Sequence, residues 1–252
     1  MGLKKSIFKV FTANFVQLIT SIVVTFFVPL MVSVENYSLV KTYTLYIGYV
    51  AFFSLGFYDG VYIKYGGKEK RELDSPTVLS EHSTFITLQI IISVIWILVS
   101  VFTKNIILLF FSLTILPANL FTFYKRLYLA IGDFECYRKG MFIYSVAYMV
   151  MNCFLALILK LDAAIPYYIC AIIANILAVL YNIKFFYKQF GKVKIFDFNK
   201  VLLKSNIGLG WLILLGNLVV NTIYSIDRWF VKISFDNGAF AYYSFAVSML
   251  NI

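Results

Sequence analysis

Residues 10–32 read VFTANFVQLITSIVVTFFVPLMV, which is 23 residues without a charged side chain. An α-helix needs about 20 mainly apolar residues to cross the hydrocarbon core of a bilayer. The stretch is too long for the hydrophobic region of a signal peptide, which spans about 7–15 residues, and no small-residue cleavage site follows it. It therefore predicts a membrane-spanning helix that stays in the mature protein.

Further segments of the chain have the length and composition of a membrane span. They are 43–63, 83–102, 106–124, 140–159, 164–183 and 206–226, and an eighth begins near Phe240 and is cut off at Ile252. Of the 252 residues, 62% are hydrophobic and only 13% are charged, whereas about 25% of the residues in soluble domains are charged. The sequence predicts an all-α polytopic membrane protein, and its short final segment suggests an incomplete chain.

The 22 lysine and arginine residues are distributed unevenly among the loops and span ends. With a cytoplasmic N-terminus, 17 of them lie at cytoplasmic ends, and the five at outer ends are Lys41, Lys104, Lys160, Arg228 and Lys232. Basic residues near span ends resist translocation, so this asymmetry predicts that the N-terminus is cytoplasmic. It also accounts for the net charge of +10 without nucleic acid as a partner, because the basic loops face the anionic inner leaflet.

A short motif recurs at an offset of 201 residues. Ser33-Val34-Glu35-Asn36 follows the first predicted span, and Ser234-Phe235-Asp236-Asn237 follows the seventh. Each motif therefore lies in the loop between a first and a second helix. The spacing predicts a six-helix bundle over residues 1–204 and the start of a second, pseudosymmetric bundle over residues 205–252.

Two of the predicted spans carry polar residues along one helical face. These stripes are Asn14, Gln17, Ser21 and Thr25 in the first span, and Asn217, Asn221, Ser225 and Arg228 in the seventh. Polar groups that face hydrocarbon are costly, so both stripes should face protein or water. Two roles fit them: hydrogen bonding between helices, or lining a substrate cavity. A thinner stripe in the fifth span, Ser145, Tyr148 and Asn152, favours helix packing.

Small and cyclic residues interrupt the first and seventh spans, which hold corresponding places in the two predicted halves. They are Pro29 in the first span and Gly208, Gly210 and Gly216 in the seventh. Paired interruptions of this kind are typical of helices that bend during alternating access.

Two acidic positions are candidates for coupling or gating. Asp59 lies about one turn inside the cytoplasmic end of the second span, and either couples transport to an ion gradient or pairs with Lys64 at the interface. Asp227, with Arg228, lies at the outer end of the seventh span. These two residues either gate the outer mouth or pair with loop charges.

The residues that most enzymes use are scarce. His82 is the only histidine, the three cysteines show no C-x-x-C spacing, and the chain contains no phosphate-binding G-x-x-x-x-G-K-[ST] loop. We therefore expect no enzymatic activity, no catalytic residues, no metal and no cofactor. The same scarcity disfavours a membrane-embedded glycosyltransferase or acyltransferase.

Three groups of residues carry a resemblance to a known family. They are Phe53-Ser54-Leu55-Gly56-Phe57 with Tyr65-Gly66-Gly67, Ala130-Ile131-Gly132-Asp133-Phe134-Glu135, and Asp227-Arg228-Trp229-Phe230 with Ala241-Tyr242-Tyr243-Ser244. In this order they resemble the Wzx-type flippases of polysaccharide biosynthesis, a branch of the multidrug/oligosaccharidyl-lipid/polysaccharide exporter superfamily. The resemblance covers essentially the whole chain.

The resemblance implies a multi-pass protein of the bacterial inner membrane with two MATE-like bundles. Such proteins move undecaprenyl-diphosphate-linked oligosaccharide repeat units outward by alternating access, for the synthesis of O-antigen, capsule or exopolysaccharide. Their partners are the lipid-linked substrate, membrane lipids and the polysaccharide polymerase machinery. The alternatives are a small-molecule or drug/cation antiporter of the same superfamily, and an inactive truncated fragment.

The resemblance also suggests roles for polar residues. Asn14, Gln17, Asn217 and Asn221 would contact sugar hydroxyls, with Ser21 and Thr25 in the same cavity. Every lysine and arginine is assigned to a loop or span end, so no intramembrane cation is expected to hold the diphosphate. Arg228 and the inner-mouth residues Lys125 and Arg126 are the candidates for that role.

Overall fold

The computed structural model describes residues 3–192 and 197–250, and in these ranges the chain is helical and without strands. Two 3-10 turns, Val50–Ser54 and Lys70–Glu72, and one π-helical turn, Phe154–Ile158, interrupt or extend the α-helices. The α-helices are α1 (Leu3–Met31), α2 (Val34–Ile47), α3 (Phe57–Tyr65), α4 (Ser75–Phe102), α5 (Ile106–Ala130), α6 (Phe134–Cys153), α7 (Ala164–Phe190), α8 (Lys200–Ser234) and α9 (Asn237–Leu250).

Six of the described helices are long and apolar enough to cross a membrane: α1, α4, α5, α6 with its π-helical turn, α7 and α8. The prediction of an all-α, multi-pass membrane protein is therefore confirmed. The prediction that residues 43–63 form a continuous second span is wrong, because that segment is divided between α2, a 3-10 turn and α3.

From α4 onward, successive long helices run in opposite directions, as short connections require, whereas the chain returns between α1 and α4 through α2 and α3. We call the end of the bundle at which α1, α4, α6 and α8 begin the basal end, and the opposite end the distal end. The helix α1 packs chiefly against α6, α4 against α5, and α7 against both α5 and α6. The helix α8 packs chiefly against α3, and α9 lies against α2.

The division of the second segment has a local cause in the backbone. Leu55 and Gly56 both adopt the left-handed conformation, with φ of 54° and 79°. Glycine takes this conformation without strain, whereas a β-carbon makes it cost roughly 1–2 kcal/mol. Two such residues in succession cannot continue an α-helix. The chain therefore changes direction before α3 begins at Phe57.

Side chains from two neighbouring helices replace the backbone hydrogen bonds lost at this break. Asn119 of α5 donates through Nδ2 to the carbonyl of Val50 at 3.1 Å, and Gln89 of α4 donates through Nε2 to the carbonyl of Phe53 at 3.0 Å. Asn119 Nδ2 also donates to Gln89 Oε1 at 2.8 Å, and both side chains are buried. Non-helical backbone at membrane depth persists only where protein or a wet cavity satisfies its polar groups, and here protein does so.

The motif at Ser33 ties the α1–α2 turn to the α6–α7 loop. Ser33 donates to Asp162 Oδ1 through its backbone N–H at 2.8 Å and its hydroxyl at 2.9 Å, and Asn36 adds a third bond at 3.0 Å. These bonds, led by the one from the Ser33 N–H, lower the pKa of the Asp162 carboxyl. These bonds therefore give the motif at Ser33 a local structural role. The division of the chain into two pseudosymmetric bundles stays a prediction.

The helices α1 and α8 are continuous through the residues predicted to interrupt them. Pro29 lies inside α1, and Gly208, Gly210 and Gly216 lie inside α8. The described break falls in the second segment instead. The predicted boundary between residues 204 and 205 lies inside α8, a few residues after its start at Lys200.

An aromatic core near the basal end joins α3, α4, α5 and α7. Phe85 stacks on Phe57 and Phe123, with ring centroids 5.1 and 5.4 Å apart. His82 stacks on Phe186 at 4.4 Å, and its Nε2 lies 2.7 Å from the Tyr124 hydroxyl. The single histidine is thus a fully buried member of this core.

We expect Asn119→Leu to destabilise the protein by about 1–3 kcal/mol, because it removes the donor that Asn119 supplies to the Val50 carbonyl and to Gln89 Oε1. The matched control is Asn175→Leu. Asn175 is also a buried asparagine, and its Nδ2 donates only to Ala171 of its own helix. The free energy of unfolding of each variant is measured in mixed detergent micelles and compared with that of the wild type. Equal losses would show that the break does not depend on Asn119.

Candidate functional site

A polar cavity of about 210 Å³ lies near the distal end between α1, α2 and α6. It is built from the short polar side chains of α1, one lysine and a threonine of α2, and two polar residues of α6. The lining includes Ser21, Thr25, Tyr37, Lys41, Thr44, Tyr148 and Asn152. We call it the distal cavity. Its walls offer hydroxyl, amide and ammonium groups in a region otherwise formed by apolar helices.

Lys41 supplies the charge of the distal cavity. It lies seven residues into α2, about 10 Å along the axis at 1.5 Å per residue, so its assignment to an outer loop was wrong. Its ammonium donates to Ser248 Oγ of α9 at 2.7 Å and stands 5.2 Å from the centre of the Tyr37 ring. No carboxylate of the described residues forms an ion pair with Lys41.

Arg228 of α8 is a second cation near the distal end, and its charge and that of Lys41 repel one another. Its Nη2 donates to the Tyr224 carbonyl at 2.7 Å, and its Nε is buried without a hydrogen-bond partner in the described part of the chain. The neighbouring Asp227 accepts hydrogen bonds from the Tyr243 hydroxyl at 2.8 Å and from the Arg228 backbone N–H at 2.7 Å, and in the described structure it forms no ion pair with the Arg228 guanidinium. Both cations are thus held by neutral groups.

The two polar stripes reach this region only in part. On α1, Ser21 and Thr25 line the distal cavity, whereas Asn14 accepts a hydrogen bond from the Tyr137 hydroxyl at 3.1 Å, nearer the basal end. Gln17 is exposed and outside the cavity lining. The first stripe is thus divided, because Asn14 joins two helices whereas Ser21 and Thr25 line a cavity. That this cavity holds substrate stays a prediction.

The stripe on α8 is directed mainly at the break in the second segment. Ser225 Oγ lies 2.8 Å from the Tyr49 hydroxyl, and the Asn221 amide lies beside Gly48. The Nδ2 of Asn221 is buried and has no hydrogen-bond partner in the described residues. Asn217 is exposed on α8. None of these three residues lines the distal cavity.

Near the basal end, α3 and α8 approach until their backbones touch. A β-carbon at Gly60 would overlap the carbonyl of Asn206, and one at Gly210 would overlap the carbonyl of Gly56. Small residues four apart permit this approach, as in G-x-x-x-G contacts between membrane helices. We call this contact, formed by Gly56, Gly60, Asn206 and Gly210, the basal seam.

A buried carboxylate lies beside the basal seam. Glu81 of α4 is fully buried and accepts hydrogen bonds from Lys64 Nζ at 2.6 Å, the Tyr65 hydroxyl at 2.7 Å and Asn206 Nδ2 at 3.0 Å. Removing one partner of a buried ion pair is strongly destabilising, because it leaves an uncompensated charge. Glu81 therefore ties α3, α4 and α8 together, and sequence analysis missed it.

Asp59 pairs with a different cation from the one predicted. Arg126 Nη2 of α5 stands 3.1 Å from Asp59 Oδ1, and Lys64 is occupied by Glu81, so the predicted Asp59–Lys64 pair is wrong. Neither oxygen of Asp59 accepts a well-aligned hydrogen bond from a described donor, although the residue is only 1% exposed. Asp59 thus depends on Arg126 for compensation of its charge.

The two inner-mouth phosphate candidates differ in their surroundings. Arg126 is occupied by Asp59, and its guanidinium lies 5.6 Å from the centre of the Tyr62 ring. Lys125 forms no ion pair in the described part of the chain, and its ammonium lies 4.9 Å from the centre of the Phe121 ring. Lys125 therefore keeps its charge available, whereas Arg126 does not.

Sequence analysis missed several residues of the distal cavity for a common reason. Lys41 was counted among loop charges, and Tyr148 and Asn152 were assigned to helix packing, yet all three line the distal cavity. The spacing of Lys41 and Thr44 along α2 could have placed both on one helical face. Membership of a shared cavity with α6 depends on packing that no single segment shows.

Comparison with known proteins found no match: no protein-family model, no curated protein and no solved structure matches this chain.

We expect Gly210→Ala to separate α3 from α8, because the added β-carbon meets backbone atoms that cannot rotate away. Overpacking of this kind costs about 1–3 kcal/mol. The control is Gly208→Ala in the same helix, where a β-carbon has no atom within 4 Å and alanine should improve helix stability by up to about 1 kcal/mol. Thermal unfolding in detergent compares the two, and a Gly210→Ala variant as stable as Gly208→Ala would contradict the seam.

Proposed function

We propose that this protein is a flippase that moves undecaprenyl-diphosphate-linked oligosaccharide repeat units across the bacterial inner membrane by alternating access. The observation that carries the proposal is the pair of cations, Lys41 and Arg228, near the distal end. Both are held by neutral groups and have no ion-pair partner in the described residues. Cations within a membrane protein usually pair with acidic groups, so an unpaired set is a functional candidate.

The chemistry of the substrate fits this arrangement. A diphosphate carries several negative charges and cannot cross hydrocarbon without compensation, and cationic donors shorten and strengthen hydrogen bonds to phosphate oxygens. Lys41 borders the distal cavity, whose hydroxyl and amide groups suit sugar hydroxyls. The lipid tail needs no polar cavity, because it stays in the hydrocarbon of the bilayer beside the exposed apolar faces of α1 and α8.

An antiporter of cationic drugs is less well supported by the charges of the described residues. Such a protein needs a carboxylate that has no ion-pair partner within the chain, so that it can bind the cationic drug. Asp59 and Glu81, the buried carboxylates of the described chain, are already paired with Arg126 and Lys64. We retain Asp59 as the coupling candidate, since protonating its carboxyl would release Arg126 for binding phosphate.

The orientation of the protein follows from its basic residues. In our proposal the basal end faces the cytoplasm, because the positive-inside rule places the side richer in lysine and arginine there. The distal cavity then opens toward the outer leaflet, where the substrate is released. Lys125, a cation near the basal end without an ion pair in the described residues, would meet the diphosphate first.

We expect Lys41→Gln to lower export of surface polysaccharide by about tenfold or more, since losing one charge-assisted contact costs about 1.5–3 kcal/mol. Lys41→Arg should keep most of the activity, and Lys160→Gln, in the exposed α6–α7 loop, should keep all of it. The assay is complementation of a bacterium deleted for its own repeat-unit flippase, with membrane levels of each variant matched. Normal export by Lys41→Gln would remove the central support for the proposal.

The orientation is tested by labelling single introduced cysteines with a membrane-impermeant maleimide. We expect Lys160→Cys at the distal end to react in intact cells, and Lys70→Cys at the basal end to react only after permeabilisation. The natural cysteines, Cys136, Cys153 and Cys170, are buried or half-buried and provide the background. The reverse labelling pattern would place the N-terminus outside.

A further inference from the structure

A groove between α6 and α7 lies near the basal end, away from the distal cavity. It has a volume of about 380 Å³ and is lined by Arg138, Lys139, Phe142, Ile143 and Tyr181. Two of these residues are cationic, two are apolar and one carries a hydroxyl. We call it the α6–α7 groove. A site of this composition suits a ligand with an anionic head and an apolar body.

The cations of the α6–α7 groove are only partly neutralised. Glu135 forms ion pairs with all three nearby cations. Its Oε1 lies 2.8 Å from Arg138 Nη2 and 3.3 Å from Lys139 Nζ, and its Oε2 lies 2.9 Å from Lys9 Nζ of α1. One carboxylate therefore serves three cations. Asp133, the other nearby acid, is occupied by the backbone N–H of Cys136 and by Gln189. A net positive charge remains at this end of α6.

Two hydrogen-bond donors of the groove are not used within the described chain. Arg138 Nε is buried and has no hydrogen-bond partner. The Tyr181 hydroxyl also makes no hydrogen bond to a described residue, although its ring packs on Phe185 with centroids 4.6 Å apart. A buried guanidinium N–H without an acceptor is costly, and a phosphate oxygen is the acceptor that arginine suits best.

The apolar part of the groove continues toward the distal end. Phe142 is 46% exposed on α6, and Leu177, one turn from Tyr181 on α7, is 42% exposed. Both helices cross the membrane, so these side chains face hydrocarbon. An acyl chain fits beside them, with its headgroup at the level of Arg138 and Lys139.

We propose that the α6–α7 groove binds an anionic phospholipid, with the phosphate on Arg138 and Lys139 and an acyl chain along Phe142. Basic pockets between membrane helices on the cytoplasmic side recognise anionic headgroups in this way. The apolar faces decide the source of the phosphate, because a soluble anion would leave them without a role. This inference does not depend on the proposed flippase activity.

The test is native mass spectrometry of the purified protein released from nanodiscs that contain equal amounts of phosphatidylglycerol and phosphatidylcholine. Wild type should retain phosphatidylglycerol preferentially. The double variant Arg138→Gln with Lys139→Gln should retain about thirtyfold less of it, since each of the two surface cations contributes about 1 kcal/mol to binding an anionic lipid. Arg138→Lys with Lys139→Arg, which preserves both charges but removes the Arg138 Nε donor, should retain more phosphatidylglycerol than the double glutamine variant.

The matched control removes two lysines at the same end of the bundle, Lys200→Gln with Lys204→Gln on α8, and should not change lipid retention. Equal losses in the control and in the groove variant would overturn the proposal. Displacement of bound phosphatidylglycerol by millimolar inorganic phosphate would also overturn it, because the groove would then recognise phosphate alone. A photo-crosslinking residue at Phe142 leaves the charges intact and should capture phosphatidylglycerol. Its failure to do so would count against the acyl-chain position.

Discussion

The described structure depends on the hydrogen bonding of one interrupted backbone. Between α2 and α3 the chain leaves helical geometry, and Asn119 and Gln89 supply donors to the carbonyls of Val50 and Phe53 there. These side-chain hydrogen bonds allow the segment to turn at Leu55 and Gly56. Because α3 starts in a new direction, its glycines can meet the backbone of α8, and Asp59 can face Arg126. A straight helix over the same residues would present neither.

The sequence predicted the long helices well and the break poorly, for a physical reason. Apolar runs such as residues 10–32 and 164–183 contain enough information by themselves, since hydrophobic length decides whether a helix crosses a bilayer. The segment 43–63 also has the length of a span, although it contains Asp59 and three glycines, so its length predicted a span as well. What divides it is a pair of amides more than 30 residues away in the chain, together with two left-handed residues. Hydrophobicity carries no signal for either.

Charged residues show the same limit. One of the two roles that the sequence left open for Asp59 paired it with its near neighbour Lys64, whereas in the structure Lys64 pairs with Glu81 and Arg126 of α5 pairs with Asp59. The assignment of charges to loops also missed the position of Lys41, which lies in α2 and lines the distal cavity. By contrast, Ser21 and Thr25 were identified as possible cavity residues because helical periodicity alone places them on one face. Periodicity thus finds faces, and packing decides what those faces meet.

The charges at the basal seam are arranged so that α8 could part from α3 at limited cost. Glu81 has three partners, and only one of them, Asn206, belongs to α8. If α8 moved away, Lys64 and Tyr65 would still hold the carboxylate, so no charge would be left buried and unpaired. The loss would be one hydrogen bond to a charged group, about 1.5–3 kcal/mol, together with the contacts of the glycine backbone. Asp59 and Arg126 lie on α3 and α5, and their pair would stay intact. Polar groups and glycine backbone thus hold α8 against α3, and no described ion pair joins these two helices.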